Sequence, residues 1–273
     1  MADLLAIGAW LLPLLYLALL VDYGATFFLR TRTAARSPWL VGCVAVHAAL
    51  VAARAVHVGR LPLAHLGEIL SVLALATAAV YAVVEFSSRD RRTGVFVILL
   101  VFLFQYTASV LPEPSGAGHA AAEAPAGWGR LHVVGALVAY TSLGFAGVYG
   151  LLHLAARRDL RRRRFGVLFD RLPPLDLLAR MTWHALLVGS VFMTIALVTS
   201  PLMFGHGAGA VQPEVMSPKI VIKIIAGSMA WLISAAAVLG RAVGKWPPAR
   251  ISGIAVAGFA LVMGLLVASG LLS

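Results

Sequence analysis

Eight apolar runs, each long enough to cross a bilayer as a helix, occupy most of this chain and leave no stretch for a separate soluble domain. They cover residues 5–28, 39–58, 66–86, 94–111, 131–155, 177–203, 219–240 and 251–271. About 20 apolar residues are needed to traverse roughly 30 Å of hydrocarbon at a rise of about 1.5 Å per residue. The chain is 61% hydrophobic and only 12% charged, with a mean hydropathy of +0.93. It reads as an all-α polytopic membrane protein, a single integral-membrane domain over residues 1–273 built as a bundle of eight transmembrane helices. The first run is kept as a span, not a cleaved signal peptide, because it is long, has no basic leader and carries Asp3 at its start.

A net charge of +11 invites a nucleic-acid reading, but the positions of the cations argue against one. Of the 22 Lys and Arg, 17 fall at the ends of odd-numbered spans or in the loops that follow them, including the run "RRDLRRRRF". Only Arg54, Arg60, Arg130, Lys219 and Lys223 lie on the other side. By the positive-inside rule the Arg-rich loops are cytoplasmic and both termini face outward, as in a bacterial-type inner (plasma) membrane protein. The basic run then determines topology and touches anionic lipid. One cysteine, Cys43, excludes a disulfide framework, a CxxC redox pair and a thiolate metal cluster, so any thiol chemistry belongs to a partner.

With this topology each histidine acquires a depth. His47 lies eight residues past Trp39 on the second span, about 12 Å into the membrane. His184 lies nine residues past Leu175 on the sixth, about 13 to 14 Å in from the same side. A second pair shares the outer level: His132 within a turn of the start of the fifth span, and His206 just beyond the end of the sixth. Two imidazoles at one depth on different helices are how bis-histidine iron sites are built, and an interhelical hydrogen bond is the competing explanation for each. Zinc would need three or four ligands converging on one point, which these spacings do not offer. Haem needs one or two axial ligands and an apolar slot, for which Trp128, Tyr140, Trp183 and Trp231 are available as lining. Arg130, Lys219 and Lys223 can meet its propionates at the outer face, Lys219 and Lys223 standing four apart on one face of the seventh span. His57, His65, His119 and His153 read as interfacial or solvated, and Glu68 as a negative charge at a helix N-terminus.

The segments "RLPLAHLGEILSVLA", "WGRLHVVGALVAYTSLGFAGVYGLLHLA", "RLPPLDLLARMTWHALLVG" and "SPKIVIKIIAGSMAWLISAAAVLGR" resemble, in order and spacing, the integral-membrane cytochrome c assembly proteins, the CcsA and HemX-type haem-handling family. The resemblance implies that His132 corresponds to the external histidine that serves this family as an axial ligand to haem on the outer side. It matches His47, His184 and His206 to histidines of the HemX-like branch, giving an intramembrane and an external pair of haem iron ligands. The sequence departs from the cytochrome c synthetase members in three places: the loop "FGHGAGAVQPEVMSPK" has no tryptophan, Gly240 stands where they carry a histidine, and the chain ends "ASGLLS" where they carry another. These departures point to the shorter HemX-like branch.

Taken together, the sequence predicts a protein that binds b-type haem non-covalently and supports cytochrome c biogenesis by delivering or presenting haem on the outer side, or regulates haem supply. Its partners are expected to be other cytochrome c maturation membrane proteins and apocytochrome c. An assembly factor of this kind has no catalytic constellation of its own and is not expected to be an enzyme. Two alternatives use the same residues differently: a b-type dihaem electron-transfer subunit, and a haem-free transporter or scaffold in which the histidines are packing residues.

Overall fold

A computed structural model describes residues 2–29, 37–63, 65–111, 127–163, 166–205 and 218–271. Among them the chain is helical: α1 (Ala2–Leu29), α2 (Pro38–Val58), α3 (Leu66–Ser88), α4 (Gly94–Val110), α5 (Trp128–Arg161), the short α6 (Val167–Arg171), α7 (Leu175–Gly205), α8 (Pro218–Ala242) and α9 (Pro248–Leu271). Seven of these are long and apolar enough to cross a membrane, so the protein is a multi-pass membrane protein. The fourth expected run is also a helix, but at 17 residues it is shorter than those seven. Local chemistry sets the ends. Pro38 opens α2, where its missing N–H costs nothing, and Gly59 closes it with φ 71. α5 runs past its predicted end to Arg161, because hydropathy marks only the apolar part of a helix whose hydrogen bonds continue into polar turns.

The chain falls into two compact units: residues 1–124 with 170–173, and residues 125–169 with 174–273. In the first, α4 packs against α1 and α3, and α2 leans on α1 and α3. The only buried residues of α2 are Leu40 and His47. The core holds three fully buried tyrosines, Tyr16, Tyr23 and Tyr81, beside Val97, Ile98 and Val101.

Where α3 gives way to α4, a charged cluster sits inside this unit. Glu85, 2% exposed, accepts hydrogen bonds from the Tyr23 hydroxyl and from the Ser37 backbone N–H at 2.6 Å. Arg91 pairs with Asp22 at 2.9 Å, approaches Glu85 at 3.8 Å and lies over the Tyr23 ring at 4.3 Å. Burial works against the Arg91 charge, yet its bonds to Asp22 and the field of Tyr23 and Glu85 outweigh that and raise its pKa. The cluster ties the end of α1, the start of α2 and the end of α3 to one loop. Gly94 belongs to the same arrangement, since a Cβ there would run into the Tyr23 ring and the Tyr81 hydroxyl. Arg171 adds a bond to the Phe27 carbonyl at the end of α1.

In the second unit α5 packs against α7 and α9, and α8 against α7 and α9. The core is rich in alanine: Ala139, Ala146, Ala196, Ala226, Ala230, Ala237 and Ala255. Small residues let helix backbones approach closely, which replaces the hydrophobic drive that lipid removes. A Cβ at Gly150 would lie 3.0 Å from the Ser252 carbonyl, and one turn later His153 bonds the Ser252 hydroxyl at 2.8 Å through Nδ1. His153 is therefore buried, at 5% exposure, not interfacial: close contact with α9 supplies the partner that water would otherwise be.

Breaking a buried ion pair by deleting one side leaves an uncompensated charge. Glu85→Ala is expected to cost about 3–5 kcal/mol, and Glu85→Gln less, because the amide oxygen can still accept from the Ser37 N–H while the Tyr23 hydroxyl turns to accept from the amide NH2. Thermal unfolding of the purified variants in one detergent measures both.

Candidate functional site

His132 begins from a glycine. A Cβ on Gly135 would lie 3.1 Å from the Phe192 carbonyl oxygen and 3.3 Å from the Ala196 nitrogen, so α5 and α7 touch backbone to backbone there. His132, three residues earlier on the same face of α5, reaches across that contact and places Nδ1 2.8 Å from the Ala196 carbonyl oxygen. A carbonyl only accepts, so Nδ1 carries the proton and a neutral ring presents Nε2 as a lone pair. Donation of the far ring N–H to a backbone carbonyl is the arrangement that orients metal-ligating histidines and raises their basicity. The ring is half-buried; Trp128, one turn earlier on α5, is exposed, and Leu131 and Val134, exposed as well, stand on other faces of that helix. Arg130, also exposed, is two residues away on the same helix.

His47 has the opposite environment. It is fully buried in the first unit, with Nδ1 2.9 Å from the Tyr16 hydroxyl and Nε2 3.1 Å from the Ser71 hydroxyl. Ser71 in turn bonds Gln105 Oε1 at 2.9 Å, and Gln105 Nε2 donates to Ser109 at 3.3 Å. Both ring nitrogens are thus engaged by protein. His184 lies in the second unit, exposed on α7, with its ring 5.4 Å from that of Trp183. His206 falls outside the described residues. Lys219 and Lys223 occupy the first turns of α8, four apart and on one face of that helix. Of the aromatics considered as lining, Trp231 donates from Nε1 to Thr194 at 2.8 Å, and Trp183 has Arg241 5.6 Å over its ring.

A family model described as cytochrome C assembly protein matches residues 61–271, more than three quarters of the chain. The chain belongs to that family. No curated protein and no solved structure matches it. Membership gives this member of the cytochrome c assembly family a role in cytochrome c biogenesis, alongside other maturation factors, in a family associated with haem handling. His132 fits such a cofactor, since its proton sits on the carbonyl side and its lone pair is available. His47 fits less directly, because iron at Nε2 would have to replace Ser71.

The residues that sequence reading passed over are those that hold His47 and the charged cluster: Tyr16, Ser71, Gln105, Glu85 and Arg91. A signal for two of them was present. Gln105 stands in "FLFQYTASV" and Glu85 in "AVVEFSS", polar groups inside apolar runs, which need an interior partner. Glu68 also does more than cap α3. Its carboxylate takes both terminal nitrogens of Arg60, at 2.8 and 3.3 Å, with Arg54 Nε at 3.5 Å.

Gly240, where the synthetase members carry histidine, is explained by packing. A Cβ at this position would sit inside the Trp246 indole, which is itself covered by Arg250 3.9 Å over its ring. Trp246 fills the space a histidine side chain would need. Gly240→His should therefore displace Trp246 and destabilise by about 1–3 kcal/mol, the usual cost of overpacking, without adding a haem ligand. Thermal unfolding together with the haem absorption spectrum tests both halves.

Proposed function

We propose that this protein binds b-type haem non-covalently and presents it on the outer side of a bacterial inner membrane, as a HemX-like member of its family serving cytochrome c maturation. The observation that carries the reading is the His132–Ala196 hydrogen bond, which puts the ring proton on Nδ1 and leaves Nε2 a lone pair. His206 is proposed as the second ligand at that level, with Arg130, Lys219 and Lys223 receiving the propionates. His184, exposed on α7, is proposed as a further, intramembrane ligand, whereas His47, with Tyr16 and Ser71 on its two ring nitrogens, fits only if Ser71 leaves Nε2. Sidedness follows from charge: with the Arg-rich loops cytoplasmic, eight spans including α4 place both termini, and His132, outside.

Haem supplies the redox-active iron and a large planar apolar surface. The chain's own residues bind, orient and shield it, and make or break no bond. His132 donates Nδ1–H to Ala196, which holds the ring plane and directs Nε2 away from that carbonyl. Trp128, one turn before His132, gives the porphyrin face an apolar surface, and Arg130 gives its carboxylates a cation. The gap inside the second unit lined by Ala139, Leu143, Gly189, Met193 and Ser234 holds no more than about one water molecule, so a porphyrin at His132 lies on the outside of that core. Apocytochrome c and other maturation proteins are the proposed recipients and partners.

Haem titration of the purified protein in nanodiscs tests this. His132→Ala should weaken binding at least about tenfold and alter the absorption spectrum, while Arg130→Gln should weaken binding less and leave the axial-ligand spectrum unchanged. A His132→Ala protein with wild-type affinity and spectrum would overturn the reading.

A further inference from the structure

Where α8 turns into α9, the sequence "GRAVGKWPPAR" builds a platform from two glycines. A Cβ on Gly240 would sit inside the Trp246 ring, and one on Gly244 would lie 2.9 Å from the indole Nε1, so the indole rests on bare backbone at both positions. The Trp246 backbone N–H donates to the Gly240 carbonyl at 3.0 Å and fixes it further. Arg250, in the first turn of α9, stacks its guanidinium 3.9 Å over that ring. Stacking occupies the flat face of the guanidinium and leaves its N–H edge open, and Arg250 is exposed. In the last turn of α8, Arg241 lies 5.6 Å over the Trp183 ring, and Lys245 stands exposed in the turn itself.

Nothing in this unit neutralises these cations. Past Asp176 the sequence holds one acidic residue, Glu214, in the segment between α7 and α8, so the whole of α8 separates it from the turn. Among the described residues none of Arg241, Lys245 and Arg250 has a carboxylate within ion-pair distance. Arg241 stands at a helix C-terminus, where the dipole favours a cation, but Arg250 stands at an N-terminus, where it does not, and the first turn of α9 has no acid. Both the charge and the dipole there call for an anion. Beside them are bare aliphatic side chains: Leu239 is 61% exposed and Val243 79% exposed, one turn apart, with the Val243 N–H bonded to the Leu239 carbonyl at 2.8 Å. Their face adjoins the one on which Trp246 rests, since each precedes one of the two glycines by one residue. A free phosphate would use the cations and leave the aliphatic strip bare, whereas a phospholipid uses both. We propose that the α8–α9 turn binds the headgroup of an anionic phospholipid, its phosphate taken by Arg250 and Lys245 and its acyl chain lying along Leu239 and Val243. Trp246 is a positioning residue: it holds the Arg250 fork edge-on to the phosphate. This surface is independent of haem.

Native mass spectrometry of the full chain in detergent, titrated with phosphatidylglycerol or with phosphatidylcholine of the same acyl chains, tests this. Phosphatidylglycerol should bind more tightly, by about fivefold for each cation engaged. Arg250→Gln and Lys245→Gln should each remove about fivefold of that affinity and leave phosphatidylcholine binding unchanged. Trp246→Leu and Arg250→Lys should also lower phosphatidylglycerol affinity although neither removes a charge, which a diffuse attraction of a basic chain for anionic lipid would not produce. Arg250→Lys keeps the indole in place, so it remains informative if Trp246→Leu loosens the turn. Arg158→Gln, which removes one cation from the end of α5, should leave the lipid preference intact. Equal affinity of the wild type for the two lipids, an equal loss in Arg158→Gln and Arg250→Gln, or thermal stabilisation by inorganic phosphate alone matching that by phosphatidylglycerol would overturn the proposal.

Discussion

A polar side chain on a helix in hydrocarbon has no water to fall back on, and this requirement organises the first unit of the protein. His47, Gln105 and Glu85 each stand in an otherwise apolar run, and each takes partners from outside its own helix, Gln105 adding a bond to Ser109 on α4. Their partners come from α1, the start of α2, α3 and α4, so the helices cannot rotate or slide without stranding a buried donor or acceptor. The two networks, one around His47 and one around Glu85, hold register in a unit whose second helix contributes little apolar burial of its own.

The second unit meets the same constraint with different material. Its interior is rich in alanine, and its polar side chains bond carbonyls of their own helix, as Thr182 and Ser234 do, or one cross-helix partner, as in His153 with Ser252 and Trp231 with Thr194. Close backbone approach is also what makes His132 chemically distinct. Because Gly135 lets α5 rest on α7, the ring reaches a carbonyl already shared with the Thr199 hydroxyl, and its tautomer follows. Packing by small residues thus does two things at once: it assembles the unit and decides which imidazole nitrogen carries the proton.

Much of this was legible beforehand, and the missing part has a physical cause. Each of the eight apolar runs is a helix, and the family resemblance carried by "LPLAHLGEIL" and "LHVVGALVAY" lies within the matched residues 61–271. The special character of His47 could be read from its apolar neighbours, as could that of Glu85 and Gln105 had they been given the same weight. Their partners could not. Tyr16, Ser71 and Gln105 lie 31, 24 and 34 residues away along successive links of the chain of bonds, and nothing in the spacing joins them. His153 shows the same limit, since its partner is 99 residues away on α9.

By itself the sequence determined what each segment becomes: membrane-length helices, because only internal hydrogen bonding satisfies a backbone in lipid; ends at Pro38 and Gly59, because those residues can begin or stop a helix; and the family to which the chain belongs. Tertiary structure alone decided which face of each helix turns inward, and with it which histidine nitrogens are committed. A helix of a soluble protein advertises its buried face by alternating polar and apolar positions, but a helix in lipid is apolar all round, so its rotation is set by the glycines, alanines and few polar atoms that its neighbours happen to meet.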